Sequence, residues 1–205
     1  MLHVRLNQIT VDPLRLGDAI SYIEAEVRPA VQMQRGNLGM SLLANPELGV
    51  AVLESFWVSA DALRDSERMA APGRLELVRR ANTGTVTVED YRVPIFELEG
   101  PMPGGAGAQL TRMDVEPSKI EDAVEVFGDT AVPLLAETEG FCSAVLLVDH
   151  ASGRSVSQAV WRDAHALAAS RSTAAAVRVD AVATTDCVIR AVEEFSLVFS
   201  SARKS

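Results

Sequence analysis

Along the first nine positions, Leu2, Val4, Leu6 and Gln8 alternate with His3, Arg5, Asn7 and Ile9. That period of two predicts a strand. Asp12-Pro13 then marks a helix start, with a carboxylate at the cap and a proline in the first turn, where its missing N–H costs nothing. Leu16, Ala19, Ile20, Ile23, Val27, Ala30 and Val31 follow at helical spacing and form one apolar stripe. Pro29 falls inside the stripe and should kink or interrupt the helix. Gly36 should end it. Two apolar runs, Leu38–Ala44 and Val50–Trp57, flank the turn residues Asn45-Pro46-Glu47-Leu48-Gly49 and read as a hairpin. Two helical pieces follow, one from Ser59 to about Arg68 and one around Gly73–Arg80. A long strand over Thr85–Phe96 closes the series.

The pattern then recurs. Val11-Asp12-Pro13 returns as Val115-Glu116-Pro117, Pro29 as Pro133, Gly36 as Gly140, Gly49 as Gly153 and Trp57 as Trp161, each pair 104 positions apart. The stripe returns as Ile120, Ala123, Val124, Phe127, Ala131, Leu134 and Leu135, and the hairpin as Phe141–Asp149 and Ser155–Arg162. The later helical pieces return as Asp163–Ser170 and Thr173–Ala183, and the last strand as Asp186–Phe199. A constant offset of this length indicates a duplicated domain. Strand, helix, strand, strand, helix, strand is the ferredoxin-like order. The expected fold is therefore α+β: two tandem ferredoxin-like (split βαβ) domains, residues 1–96 and 108–205, with the Gly- and Pro-rich stretch 97–107 as linker. Both faces of the first sheet carry apolar residues, so both need cover. Closing the two sheets face to face into an intramolecular α/β barrel, a pseudo-dimer, would supply it.

Composition narrows the function classes. A hydrophobic share of 48% with few aromatics makes the core mainly aliphatic, and the formal net charge of −9 disfavours nucleic acid and anionic membranes as partners. No apolar run approaches the ~20 residues that cross a bilayer, and nothing at the N-terminus resembles a signal peptide, so a cytoplasmic protein is expected. Cys142 and Cys187 show neither metal-ligand nor CxxC spacing. Zincin, Walker, Rossmann and nucleophile-elbow motifs are absent from the sequence. No metal is expected.

Several of these residues carry a family likeness. The strand ending in Val-Asp/Glu-Pro, the helix with Pro29 or Pro133, the approach at Pro133 and Gly140-Phe141, and the Trp that ends the third strand (Trp57-Val-Ser-Ala-Asp-Ala-Leu, Trp161-Arg-Asp-Ala-His-Ala-Leu) resemble the dimeric α/β-barrel superfamily. Within it they are most similar to the antibiotic-biosynthesis-monooxygenase-like (ABM) domain, in two tandem copies. The resemblance implies a cofactor-independent monooxygenase acting on a small planar phenolic or polyketide-like substrate. It implies no cofactor, because a deprotonated, electron-rich substrate reacts with O2 directly.

On that resemblance Asn7 is a candidate catalytic residue, an amide to orient oxygen. Alternation places His3 and Arg5 on the same face, His3 as a candidate catalytic base and Arg5 to hold an anion or enolate. Trp57, Trp161, Tyr22 and Tyr91 are candidate substrate walls, although packing also accounts for each. Arg74 and Arg178 recur, as do Ser66 and Ser170; helix-surface or capping roles account for them. The haem-degrading branch requires an axial His after the third strand. None lies between Trp57 and Phe96, and His165 comes too soon after Trp161, so haem is not expected. The alternative is a non-catalytic small-ligand-binding or scaffold barrel. A roomy pocket lined by Asn7 and Trp57 would favour the enzyme, and a pocket filled by aliphatic side chains would favour the scaffold. Outer helix surfaces leave a homodimer open.

Overall fold

A computed structural model describes residues 1–81 and 84–202. The chain forms two compact units. The first comprises Met1–Tyr91 together with residues 198–202, and the second Arg92–Leu197.

In the first unit, strand β1 (His3–Thr10) leads through a 3-10 turn (Pro13–Arg15) to α1 (Leu16–Tyr22). A π-helical turn (Ile23–Val27) joins α1 to α2 (Arg28–Gln32). Strands β2 (Asn37–Asn45) and β3 (Val50–Trp57) form the hairpin, and α3 (Ala60–Ala81) leads to β4 (Thr85–Leu98). The second unit repeats the order: β5 (Gly107–Asp114), α4 (Ile120–Val126), a π-helical turn (Phe127–Ala131), α5 (Val132–Ala136), β6 (Phe141–Val148), β7 (Arg154–Trp161), α6 (Ala164–Thr185) and β8 (Val188–Ser200). In the first unit the strands pair in the order β1-β3-β2, and in the second, where β4 pairs from Arg92 on, in the order β4-β6-β7-β5-β8. The α+β, ferredoxin-like reading of the pattern therefore holds. Glu97 and Leu98 of the expected linker lie in β4, and Gly107 opens β5.

Local chemistry explains the start of each helix. Asp12 Oδ1 accepts the Leu14 N–H at 2.9 Å and Pro13 occupies the first turn. The expected interruption at Pro29 takes a milder form. Pro29 offers no N–H, and just before it the turn widens, so that Arg28 N–H donates to Ile23 O five residues back. The same happens before Pro133, where Val132 N–H donates to Phe127 O. The helix thus passes the proline without breaking, and the widened turn carries Ile23 and Phe127 into the core. Gly36 and Gly140 end these helices at φ +86 and +80. Gly49 and Gly153 also have positive φ, and a Cβ at either would overlap the carbonyl oxygen of Val11 or Val115. Each of these glycines accepts that valine's N–H, at 2.9 and 2.8 Å, which ties the hairpin to the end of the first strand.

One expectation is corrected. The two helical pieces after β3 are a single helix of 22 residues, and so are those after β7. Pro72 sits inside α3 and removes one internal hydrogen bond, but the packing of Leu63 and Leu77 on the sheet spans the defect. In α6, Ser170 bonds back to Leu167 O at 2.8 Å instead of ending the helix. Propensity at a few polar positions is outweighed by burial of the apolar face.

In the first unit the sheet face toward the helices carries Ile9, Met40, Leu42, Leu53 and Trp57 in one core with Leu16, Ile23, Leu63 and Leu77. Val4, Leu6 and Phe56, of opposite parity, are also buried. The sheet is covered on both faces, as its double apolar patterning requires.

Candidate functional site

The first unit leaves a space between its sheet and its helices. Register places His3 opposite Trp57, Arg5 opposite Ser55 and Asn7 opposite Leu53, so these side chains share one sheet face. Arg5, Asn7, Ile9, Leu53, Ser55 and Trp57 form the floor of a cavity of about 240 Å³. Tyr22, Ile23, Glu26, Val27 and Val31 of the segment from α1 to α2 and Ser66, Gly73, Arg74 and Leu77 of α3 also line it. A cavity of ~150 Å³ with apolar walls accepts benzene, so this one has room for a larger ring system. The corresponding cavity of the second unit is about 60 Å³. Position by position the reason is visible. Phe127 stands 104 residues after Ile23, and Val177 stands 104 after Gly73; both line and fill the second cavity.

The polar side of the first cavity is a charge network. Arg5 is 5% exposed. Its Nε and Nη2 donate to Asp90 Oδ1 and Oδ2, both at 2.7 Å, and its Nη1 donates to Glu67. Burial works against the guanidinium charge, but the hydrogen bond and charge of Asp90 and the charge of Glu67 outweigh it and hold the Arg5 pKa above its ordinary value. Arg74 Nη2 donates to the other oxygen of Glu67. Two cations and two carboxylates thus neutralise one another along one wall.

Three buried polar atoms of this wall have no partner: Asn7 Oδ1, Gln34 Nε2 and Arg74 Nη1. All three residues line the cavity. Asn7 Nδ2 reaches Leu53 O at 3.4 Å, so only the amide oxygen is uncommitted. An unmet buried donor or acceptor costs ~1–3 kcal/mol, which a bound group of matching polarity would recover. The second unit satisfies the equivalent arginine internally, with Arg178 Nη1 donating to Gln109 Oε1 at 2.5 Å. Burial lowers the Arg178 pKa, and Glu194 opposes that shift.

Of the residues singled out in the sequence, Arg5, Asn7, Tyr22 and Trp57 meet at this cavity. His3 shares their face but does not line the cavity. Tyr91 is buried in β4 and does not line it either. Trp161 lines the smaller cavity of the second unit and donates to Thr138 Oγ1 at 2.8 Å, whereas Trp57 donates to Ser55 Oγ at 3.0 Å. Gln34 and Glu26 complete the site and escaped the sequence reading, and Arg74, whose recurrence as Arg178 was read as a helix-surface feature, lines it too. Among the described residues no cluster of His, Cys, Asp and Glu has metal-holding geometry, and no helix is long and apolar enough to cross a membrane.

Residues 107–180 match the antibiotic biosynthesis monooxygenase (ABM) family. An uncharacterised protein of Mycobacterium tuberculosis is 29% identical over 204 residues, covering 99% of this chain and 86% of that protein. Among solved structures, a protein of Fusobacterium nucleatum provisionally assigned as a monooxygenase superposes with a TM-score of 0.72 at 14% identity, covering 97% of this chain and 93% of that one. An anthrone oxidase-like protein superposes at 0.70 and 16% identity, covering 97% and 92%. At these identities the structural likenesses establish the fold.

Proposed function

With an ABM domain in residues 107–180 and an ABM-like barrel fold as the premise, we propose that the first-unit cavity binds a small planar phenolic or polyketide-like substrate and that the chain is a cofactor-independent monooxygenase. The observation that carries this is the cavity itself: about 240 Å³, walled by Trp57, Tyr22 and aliphatic side chains, with three unpartnered buried polar atoms on one side. Apolar pockets with a few convergent polar groups are the usual form of small-molecule sites. The second unit, with its narrow cavity and satisfied arginine, has a structural role in this reading.

The chemistry follows from the lining. A ring carbon conjugated with a phenol or carbonyl loses a proton to give a carbanion whose charge is delocalised onto that oxygen. Glu26 is the one carboxylate among the described lining residues and is exposed, so it can take that proton and pass it to water. The carbanion gives its electron pair to O2 and, with a proton, forms a hydroperoxide. Loss of the remaining proton on that carbon, with cleavage of the O–O bond, leaves a carbonyl and releases water. One methylene and one O2 become one carbonyl and one water, and no external reductant is consumed. Asn7 and Trp57 orient the ring, and the apolar walls exclude water. His3, outside the lining, is not needed as the base.

An oxygen electrode tests this with anthrone as substrate and no added cofactor. One O2 should disappear per anthrone oxidised, and Asn7→Ala and Trp57→Ala should each slow uptake at least tenfold. Uptake no faster than in buffer, or unchanged in both variants, would refute the reading.

A further inference from the structure

The two uncommitted donors of the cavity share a purpose that the apolar walls do not need. Arg5 is fully engaged, by both oxygens of Asp90 and by Glu67. Arg74 gives only Nη2 to Glu67, so its Nη1 remains a charged N–H without an acceptor. Gln34 Nε2 is a second such donor on the same cavity. Asn7 Oδ1, 7% exposed as a residue, is an acceptor without a donor. In the second unit Thr138 stands 104 positions after Gln34 and accepts from Trp161, while Arg178 is tied to Gln109. Only the first unit keeps both donors open.

We propose that Arg74 and Gln34 form an oxyanion-binding pair that holds an aromatic ligand as its phenolate or enolate, with Asn7 receiving a hydroxyl of the same ligand. The ligand class is thus a planar aromatic with one acidic oxygen and a second hydroxyl. A guanidinium N–H directed at an oxygen favours its charged form and shortens the bond. Counted with Arg74 itself, the network holds two cations and two carboxylates and is neutral, so Asp90 and Glu67 are already paired where the open N–H meets the ligand. The charged and titratable groups around the cavity are Arg5 on β1, Tyr22 and Glu26 on the first helix, Glu67 and Arg74 on α3 and Asp90 on β4. Of the carboxylates, Asp90 and Glu67 are paired with Arg5 and Arg74, and Glu26 is exposed. The inference rests on the proposed ligand site but not on turnover.

The test is a spectrophotometric titration of 2-naphthol, whose anion absorbs at longer wavelength than the neutral phenol. Bound to the protein, it should titrate about one to three pH units below the free phenol. Arg74→Met should still bind but return the titration to the free value. Gln34→Leu should return it part of the way, and Arg74→Lys should retain most of the effect. Arg178→Met should behave as the parent. A bound naphthol that titrates at or above the free value overturns the pair, as does a lowered titration that survives Arg74→Met, or no binding at all. A lowered titration without oxygen uptake from anthrone refutes only the catalytic reading. Oxygen uptake without a lowered titration refutes only the oxyanion pair.

Discussion

Gly73→Val separates stability from binding in one substitution. Gly73 lies within α3, lines the first cavity, and a Cβ built there meets nothing within 4 Å. Its backbone needs no positive φ, so a side chain is sterically admissible. Relieving a mid-helix glycine gains a few tenths of a kcal/mol for valine, which is itself a weaker helix former than alanine. Burying a valine side chain is worth ~1.5–3 kcal/mol when complete, and here the open cavity surrounds it only in part. A net gain of about 1–2 kcal/mol follows, or roughly 2–8 °C in Tm for a chain of this size. The same side chain takes space from the ligand. Forcing a ring against it costs ~1–3 kcal/mol, so affinity for 2-naphthol should fall about 5- to 150-fold. Calorimetry of the unliganded protein and a binding titration supply the two numbers. A lower Tm, or a raised Tm with undiminished affinity, would show that the space beside Gly73 is not the ligand site.

Two further predictions concern the charges. Arg5→Met removes a buried cation whose partners Asp90 and Glu67 have side chains 43% and 44% exposed and so rehydrate; the loss should be about 1–3 kcal/mol by denaturant unfolding, below the ~3–5 kcal/mol of a fully buried pair. Hydrogen bonds from Arg79 and then Arg80 lower the pKa of Glu76 from 4.5 to about 2. A depressed carboxylate stabilises the fold above its unfolded pKa and loses that contribution as pH falls through the folded one. Glu76→Gln should therefore flatten the decline of Tm between about pH 4.5 and pH 2, and ~1 M salt should shrink the difference because both arginine partners lie at the surface.

Much of the fold was legible because the signals were periodic. Alternation over residues 2–9 gave β1, the stripe from Leu16 to Val31 gave the first helix, and the glycines at 36 and 49 fixed its end and the hairpin. The alternation that grouped Arg5 with Asn7 also brought both to the cavity. Other features depend on what a window of sequence does not contain. The π-helical turns need the proline and the packing of Ile23 or Phe127 together. The continuity of α3 through Pro72 depends on contacts made by Leu63 and Leu77. Gln34 lies in the turn after α2 and Arg74 on α3, 40 positions apart, and their open donors are defined by the partners they lack. His3 shows the converse: correct parity placed it on the right face, but not along the cavity.

The central claim is that the first unit, and not the second, holds an aromatic ligand. The chain has two tryptophans, one lining each cavity, so fluorescence of single-tryptophan variants tests it most directly. In Trp161→Phe, where only Trp57 emits, 2-naphthol should quench the emission saturably. In Trp57→Phe, where only Trp161 emits, quenching should be no more than the linear collisional background. Saturable quenching confined to Trp161, or equal at both, would contradict the account.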